Sequence, residues 1–284
     1  MDGILVVDKP AGMTSHDVVA VVRRRLGERR VGHAGTLDPD ATGVLVLGVG
    51  RATRLMRFIE GGEKEYTAEV IFGVETSSQD ASGEVIARTD ASVLRIEDVA
   101  RAAATLVGEI EQVPPMVSAV KVGGERLYRK ARRGEEVERA PRRVTVHELR
   151  VEAFEPGPRA RAMLRIRCSR GTYVRTLAHD LGRALGVGGH VAVLRRVRVG
   201  AFGDSHAVAL DTLDAADLRP LVEAVSGYPQ RQVDAGAARA VAQGKTSPAF
   251  GVAGAYAVVG PAGLVAMSED RGEVSRPVVV VADP

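Results

Sequence analysis

Apolar and polar positions change their period several times along the chain. Residues 3 to 8 read as a strand, whose apolar run Ile4 to Val7 stops at Asp8-Lys9-Pro10 and a turn. Thr14-Ser15 then precedes a helical pattern over Asp17 to Leu26, with hydroxyl capping residues where a helix start needs them. A glycine-bearing loop leads into Val44-Leu45-Val46-Leu47, read as a buried strand over 44–49. Strict alternation from Tyr66 to Phe72 predicts a further strand, and Ile96 to Val107 has helical spacing. Val144 to Phe154 and Ala162 to Cys168 read as paired strands. Leu177 to Leu185 reads as a short helix ended by Gly186, and Ala192 to Phe202 as a strand. Helices and strands mix without a regular βαβ rhythm. This predicts an α+β fold with a mixed, mostly antiparallel central sheet flanked by helices.

Two stretches depart from this pattern. Residues 114–143 open on Pro114-Pro115 and are glycine-interrupted and strongly basic, which suits an arm that grips a polyanion. Lys130, Arg132 and Arg133 are its candidate phosphate contacts. From about residue 229 the pattern becomes short β-rich pieces, Ala255 to Val259, Leu264 to Ser268 and Val278 to Val281, punctuated by Gly-Pro and Arg-Pro. A small separate barrel is expected there. The expected organisation is therefore a catalytic domain over 1–228, carrying the basic insertion, and a small domain over 229–284.

Hydrophobic content of 45% over 284 residues supplies core enough without covalent staples. The single cysteine, Cys168, excludes an internal disulfide and a multi-cysteine zinc site, and its place in an alternating run predicts a buried strand position. The apolar run Ile4 to Val7 is too short for a signal segment or a membrane span, so a cytosolic protein is expected. Net charge is only +3, but arginines cluster at 23–25, 29–30, 139–143 and 195–198, which favours a nucleic-acid partner. With aromatics at 4% and no tryptophan, recognition by a broad stacking platform is disfavoured over recognition of folded shape and backbone.

Several familiar motifs fail. Gly244-Lys245-Thr246 resembles the tail of a phosphate-binding loop, but Arg239 stands where its first glycine is required. Gly48-Val49-Gly50 lacks the third glycine of a dinucleotide fingerprint. The histidines show no metal-ligand spacing, and there is no serine elbow or cysteine–histidine nucleophile. Any catalysis is expected to need neither cofactor nor metal.

What stands out is Asp38, in His33-Ala34-Gly35-Thr36-Leu37-Asp38-Pro39 at the mouth of the strand at 44–49. Pro39 fixes its own φ and disfavours helix at Asp38, so the carboxylate is held extended. Taken alone, Asp38 reads as a turn aspartate capping its own loop. Three other segments accompany it in order: Asp8-Lys9-Pro10-Ala11-Gly12-Met13-Thr14-Ser15, Lys64-Glu65-Tyr66, and Arg170-Gly171-Thr172-Tyr173-Val174-Arg175. Weaker pieces are Gly73 to Gly83 with Thr76 and Asp80, Pro114-Pro115 with Ser118-Ala119, and Leu194-Arg195-Arg196 with Gly200. The ordered set resembles the bacterial tRNA pseudouridine-55 synthases, the TruB family, over nearly the whole chain. Many relatives have leucine at the position of Asp40 and tyrosine at that of Val117.

The resemblance implies a pseudouridine synthase fold with a PUA-like C-terminal barrel. It also implies isomerisation of a uridine in the T stem-loop of tRNA, without cofactor, metal or protein partner, by a monomer. It makes Asp38 the nucleophile and Arg175 the guanidinium that keeps it ionised. A carboxylate suits departure of a base as it suits departure of an aglycone, and a planar fork orients it better than lysine does. Alternation places Tyr173 and Arg175 on one strand face. Tyr66 would stack on the flipped uracil, His33 and Asp80 would contact the flipped region, Leu194 would pack against the base, and Lys9 would support the Asp38 loop. Each also has a plainer reading: core tyrosine, surface arginine, packing histidine, turn aspartate. Two competing functions are an RNA-folding chaperone at the same tRNA elbow and a guide-RNA-dependent synthase; the chain lacks the long lysine-rich tails common in the latter.

Overall fold

The structure is a computed structural model that describes residues 1–283 except 119, 120, 128–132, 134 and 136. In chain order it runs β1 (Gly3–Lys9), α1 (Ser15–Leu26), β2 (Val31–His33), β3 (Thr42–Val49), α2 (Met56–Glu60), β4 (Lys64–Phe72), β5 (Val74–Thr76), β6 (Val85–Arg88), α3 (Ile96–Ala104) and β7 (Gly108–Gln112). There follow β8 (Lys121–Val122), β9 (Glu125–Arg126), β10 (Arg142–Glu155), β11 (Arg161–Cys168), α4 (Val174–Ala184), β12 (Gly189–Val199), β13 (Phe202–Gly203) and β14 (Val208–Ala209). The chain ends with β15 (Gln230–Gln232), α5 (Ala235–Ala242), β16 (Ser247–Pro248), β17 (Ala255–Gly260), β18 (Gly263–Arg271) and β19 (Val274–Val280). Contacts divide it into two compact units: Met1–Pro39 with Gly43–Gly62 and Val199–Pro284, and Asp40–Thr42 with Glu63–Arg198.

In the first unit β1 lies between β14, parallel, and β3, antiparallel, with β2 also antiparallel to β3. The continuous apolar run of β1 follows from burial on both faces. Leu5 and Val7 pack with Leu45, Leu47 and the Val18, Val19 and Val22 stripe of α1. Ile4 and Val6 face the other way and share a core with Val44, Val46, Ala257, Val259, Leu264 and Met267. The C-terminal strands form a five-stranded sheet in the order β15-β17-β18-β19-β16. Its opposite face holds α5 through Val241, Ala242, Tyr256, Val258 and Val265.

A polar knot closes that sheet. The buried Tyr256 hydroxyl lies 2.5 Å from Asp270 Oδ1 and 2.5 Å from Ser275 Oγ, while Asp270 Oδ2 accepts from the Val252 amide at 3.0 Å. Burial, with Asp270 as partner, pushes the Tyr256 phenol up to about 12. The hydrogen bond from Tyr256 holds the Asp270 carboxyl below the usual carboxylate range. A raised phenol pKa stabilises the fold below the unfolded value of about 10, and that contribution is lost as pH rises towards 12. The lowered carboxyl stabilises above about 4 and is lost as pH falls through the folded value. Thermal unfolding of the whole chain is therefore expected to weaken between pH 10 and 12, and a Tyr256→Phe variant to lack most of that alkaline step. Equal alkaline steps in the two proteins would refute the assignment.

The second unit is built on strands in the order β12-β4-β11-β10-β7, with β4, β11, β10 and β7 antiparallel in succession. Alternation along β4 buries Lys64, Tyr66, Ala68, Val70 and Phe72 on one face, as its pattern predicted. Helix α3 packs on β10, and α4 on α3 and β4. Helix α4 starts at Val174, earlier than the expected Leu177. The strand alternation read for Tyr173 and Arg175 is thus corrected: Tyr173 is the extended residue capping the helix, and Arg175 lies in its first turn. Three residues of alternation are too few to distinguish a strand end from a helix entry. Strand β12 likewise ends before Gly200, whose φ of 54° turns the chain.

Helix α4 is seated by a close approach. A Cβ at Gly182 would lie 2.3 Å from Gly188 C and 2.3 Å from Gly189 N, and the Gly182 carbonyl accepts from the amides of Val187 and Gly188. Backbone cannot yield as a side-chain tip does. Gly182→Ala is expected to cost about 2–4 kcal/mol, read as a thermal midpoint lower by roughly 5–15 °C. A midpoint within about 1 °C of wild type would show that α4 adjusts freely. Among the described residues no helix is long and apolar enough to cross a membrane.

Candidate functional site

The first unit presents Asp38 on the loop between β2 and β3, half-buried and gripped on both sides. Before it, the buried Ser15 hydroxyl accepts from the Leu37 amide at 2.9 Å and donates to the Leu37 carbonyl at 3.2 Å. After it, the Pro39 carbonyl accepts from Lys9 Nζ at 2.7 Å and from the Gly12 amide at 3.0 Å. Lys9 is fully buried, and its ammonium also donates to the carbonyls of Pro10 at 2.8 Å and Met13 at 2.6 Å. Gly35, with φ 89°, and Gly43, with φ 100°, take left-handed conformations that let the loop turn so tightly. A carboxylate between two anchored neighbours has its backbone fixed before any substrate arrives.

Ser15 does more than start a helix. Thr14 is the N-cap, in a reciprocal box with Asp17: each backbone amide is held by the other's side chain. That frees Ser15 to face the Asp38 loop. Only Thr14 of the Thr14-Ser15 pair carries the capping role the pattern gave to both. His33, at the end of β2, meets His16 edge-to-face at a centroid distance of 5.3 Å. Asp40, the second acid of the loop, is exposed.

In the second unit Arg175, Asp80 and Tyr173 come together at the start of α4. Arg175 is 4% exposed, and its guanidinium donates to the Ser78 carbonyl at 3.0 Å and the Val117 carbonyl at 2.8 Å. It also faces Asp80 Oδ2 at 3.3 Å. The other carboxylate oxygen of Asp80 accepts from Ser78 Oγ, Ser82 N and Ser82 Oγ at 2.6 to 3.0 Å. Asp80 is thereby locked into its own loop by one oxygen and pinned to Arg175 by the other. Gln79 beside it has φ 64° and ties the loop to α4 and β12, accepting from Thr176 Oγ1 at 3.2 Å and from the Val191 amide at 3.1 Å. A bulky residue in the left-handed region is held there by these contacts. Gly83 is needed where it is, since a Cβ there would meet Ser78 Oγ at 2.3 Å. Tyr66 is 7% exposed on β4, Leu194 is half-buried on β12, and Tyr173 is half-buried at the head of α4.

The arginine clusters are less available than their count suggests. Arg23 and Arg25 donate to the carbonyls of Val31 and Leu213, fastening α1 to neighbouring chain. Arg198 pairs with Glu65, and that hydrogen bond holds the Glu65 carboxyl below its usual range. Arg196 is fully buried. Arg133 is exposed, but Glu125 takes it bidentately at 2.7 and 2.9 Å and Glu135 takes its Nε at 2.6 Å. Lys130 and Arg132 lie outside the described residues.

Residues 23–174 match the TruB family pseudouridylate synthase (N terminal domain), and residues 175–223 the tRNA pseudouridylate synthase B C-terminal domain. The chain belongs to the TruB family. Its similarity to curated members runs nearly end to end. It is 55% identical to tRNA pseudouridine synthase B of Symbiobacterium thermophilum over 246 residues, covering 86% of this chain and 82% of that one. It is 50% identical to tRNA pseudouridine synthase B of Thermobifida fusca, covering 99% of each. Among solved structures, the crystal structure of a Cbf5-Nop10-Gar1 complex contains a chain 26% identical to this one. The two superpose with a TM-score of 0.76, covering 99% of this chain and 85% of that one. The fold is that of the pseudouridine synthases: helices with a large mixed sheet, and a curled C-terminal sheet.

For a TruB member, sequence reading missed Ser15 as the anchor of Leu37 and Gln79 as the tie on the Asp80 loop. The doubled hydroxyl of Thr14-Ser15 was a legible signal, because one cap needs only one. Nothing local marked Gln79, whose role depends on chain 97 residues away.

Proposed function

We propose that this chain isomerises uridine 55 in the T loop of tRNA to pseudouridine, with the base flipped out of the loop and Asp38 as the nucleophile. The observation that carries the reading is the loop at Asp38, a carboxylate whose two neighbours are each anchored by buried groups. The names of the relatives, tRNA pseudouridine synthase B, support the substrate class.

The reaction breaks the N1–C1′ bond, turns the uracil, forms C5–C1′, releases the C5 proton to solvent and leaves N1 to take up a proton in its place. Atoms and electrons balance within the nucleoside, so no oxidant or reductant is required. In this reading Asp38 must be ionised to assist departure of the base, and Arg175 supplies the cation that keeps it so. Asp80, paired with Arg175, aims that guanidinium. Tyr66 stacks on the freed uracil and relays a proton, Tyr173 and Leu194 line the base, and His33 fills the space it leaves. Flipping costs a few kcal/mol, which contacts to the RNA backbone must offset. Lys130, Arg132 and Arg133 of the basic arm supply some of these, and at Arg133 a phosphate displaces Glu125 and Glu135. Lys9 acts only through the Asp38 loop. Residues 229–284 serve as a PUA-like RNA-binding module beside a catalytic domain over 1–228, and the protein works as a monomer on bare tRNA.

The test is tritium release from C5-labelled uridine in a T stem-loop minihelix, using purified chain with nothing added. Release is expected, and the product should map to position 55 alone. No release, or release spread over other uridines of the loop, would overturn the reading.

A further inference from the structure

Helix α4 carries Arg175 but begins without a side-chain cap of its own. Tyr173, its extended N-cap residue, is instead held by a side chain from another strand. The carboxamide of Gln112, 1% exposed at the end of β7, accepts from the Tyr173 amide at 2.9 Å and donates to the Tyr173 carbonyl at 3.3 Å. Both backbone groups of one residue are thus read by one amide, as a neighbouring strand would read them. The same carbonyl accepts the first intrahelical bond of α4, from the Leu177 amide at 3.1 Å.

We infer that Gln112 is a positioning residue for the reaction proposed above, fixing where α4 begins and therefore where the Arg175 guanidinium points. In an α-helix each residue turns about 100°, so a start displaced by one residue would swing Arg175 off the loop that holds it. Gln112 is well placed to prevent this because its own strand is rigid. β7 is laddered to β10 with Gln112 opposite Arg142 and Glu111 opposite Arg143. Five residues further along, the Val117 carbonyl accepts from Arg175 itself. One segment therefore holds the head of the helix by a side chain and the guanidinium by its backbone. Glutamine fits this role for a chemical reason: it alone offers a donor and an acceptor at that reach without charge.

The inference rests on the pseudouridine synthase reading, and two variants separate the fates of the two claims. Gln112→Met keeps length and removes both contacts. Gln112→Glu keeps the acceptor but turns a charged oxygen on the Tyr173 carbonyl, until protonation supplies an O–H that donates to it. Burial raises the pKa of such a carboxyl towards neutrality. With the T stem-loop substrate, both variants are expected to lose roughly 10–100-fold in kcat at pH 8.5, with affinity for the RNA within about twofold of wild type. As pH is lowered to 6 the glutamate variant should recover most of its loss relative to wild type, and the methionine variant none. Arg142, Arg143 and Glu111 on the paired strands, and Arg170, Arg175 and His179 around the helix start, are common to all three proteins. A difference in pH profile therefore belongs to the introduced carboxyl. Hydrogen exchange at the Tyr173 amide gives a readout independent of turnover, with protection expected in wild type and lost in Gln112→Met. Wild-type kcat in Gln112→Met, or a glutamate deficit that does not respond to pH, overturns the inference. An inactive wild type overturns the functional reading instead, and amide protection then decides the clamp alone.

Discussion

Asp38→Asn is expected to lower tritium release from the T stem-loop by roughly 10⁴-fold or more, the scale of removing a nucleophile. Affinity for the RNA should stay within about twofold. Asparagine has the shape of aspartate but cannot ionise, so it cannot assist departure of the uracil. The substitution is clean because the loop is anchored through its neighbours: Ser15 on Leu37, and Lys9 and Gly12 on Pro39. None of those bonds uses the side chain at position 38. An RNA-folding chaperone acting at the same tRNA elbow would keep its folding activity in this variant. Turnover near the wild-type rate would remove the nucleophile assignment and shift attention to Asp40.

Lys9→Met should be the most destabilising of the substitutions considered. Methionine fills the same channel but leaves the carbonyls of Pro10, Met13 and Pro39 without the ammonium that serves all three. Each part-buried acceptor left unmatched costs about 1–3 kcal/mol. Pro39 keeps the Gly12 amide, and the three share one donor, so a total of about 3–5 kcal/mol is expected rather than a strict sum. Thermal unfolding should shift down by roughly 10–20 °C. Turnover measured well below that midpoint should also fall, because Pro39 loses one of its two anchors beside Asp38. Lys9→Arg should not rescue it, since a planar fork does not fit a three-carbonyl cage built for a compact ammonium. A midpoint within about 2 °C of wild type would mean that water or a rearranged loop satisfies those carbonyls.

The two units differ in how readable they were. Strands with both faces buried announce themselves as apolar runs, and β1 and β3 did so. Strands with one polar face announce themselves by alternation, as β4 did. Helix entries were harder. The pattern over 170–175 looked extended because the residue capping α4 is extended, and the helix begins one position later. Charge was harder still. Clusters of arginine read as a polyanion surface, yet Arg23, Arg25 and Arg198 are engaged by carbonyls or a glutamate of their own unit. Counting charges says nothing about which of them fold the protein and which face outward.

By itself the sequence determined the α+β class, most strand positions and the family, and it singled out the acid on which the functional reading is built. These depend on local periodicity and on short ordered motifs, which survive in one dimension. Tertiary structure decided what holds that chemistry still: Ser15 on Leu37, Lys9 on three carbonyls, Asp80 on Arg175 and Gln112 on Tyr173. Those partners are brought together by sheet register and helix packing across long separations, and a hydrogen bond of a few ångströms leaves no trace in residue spacing.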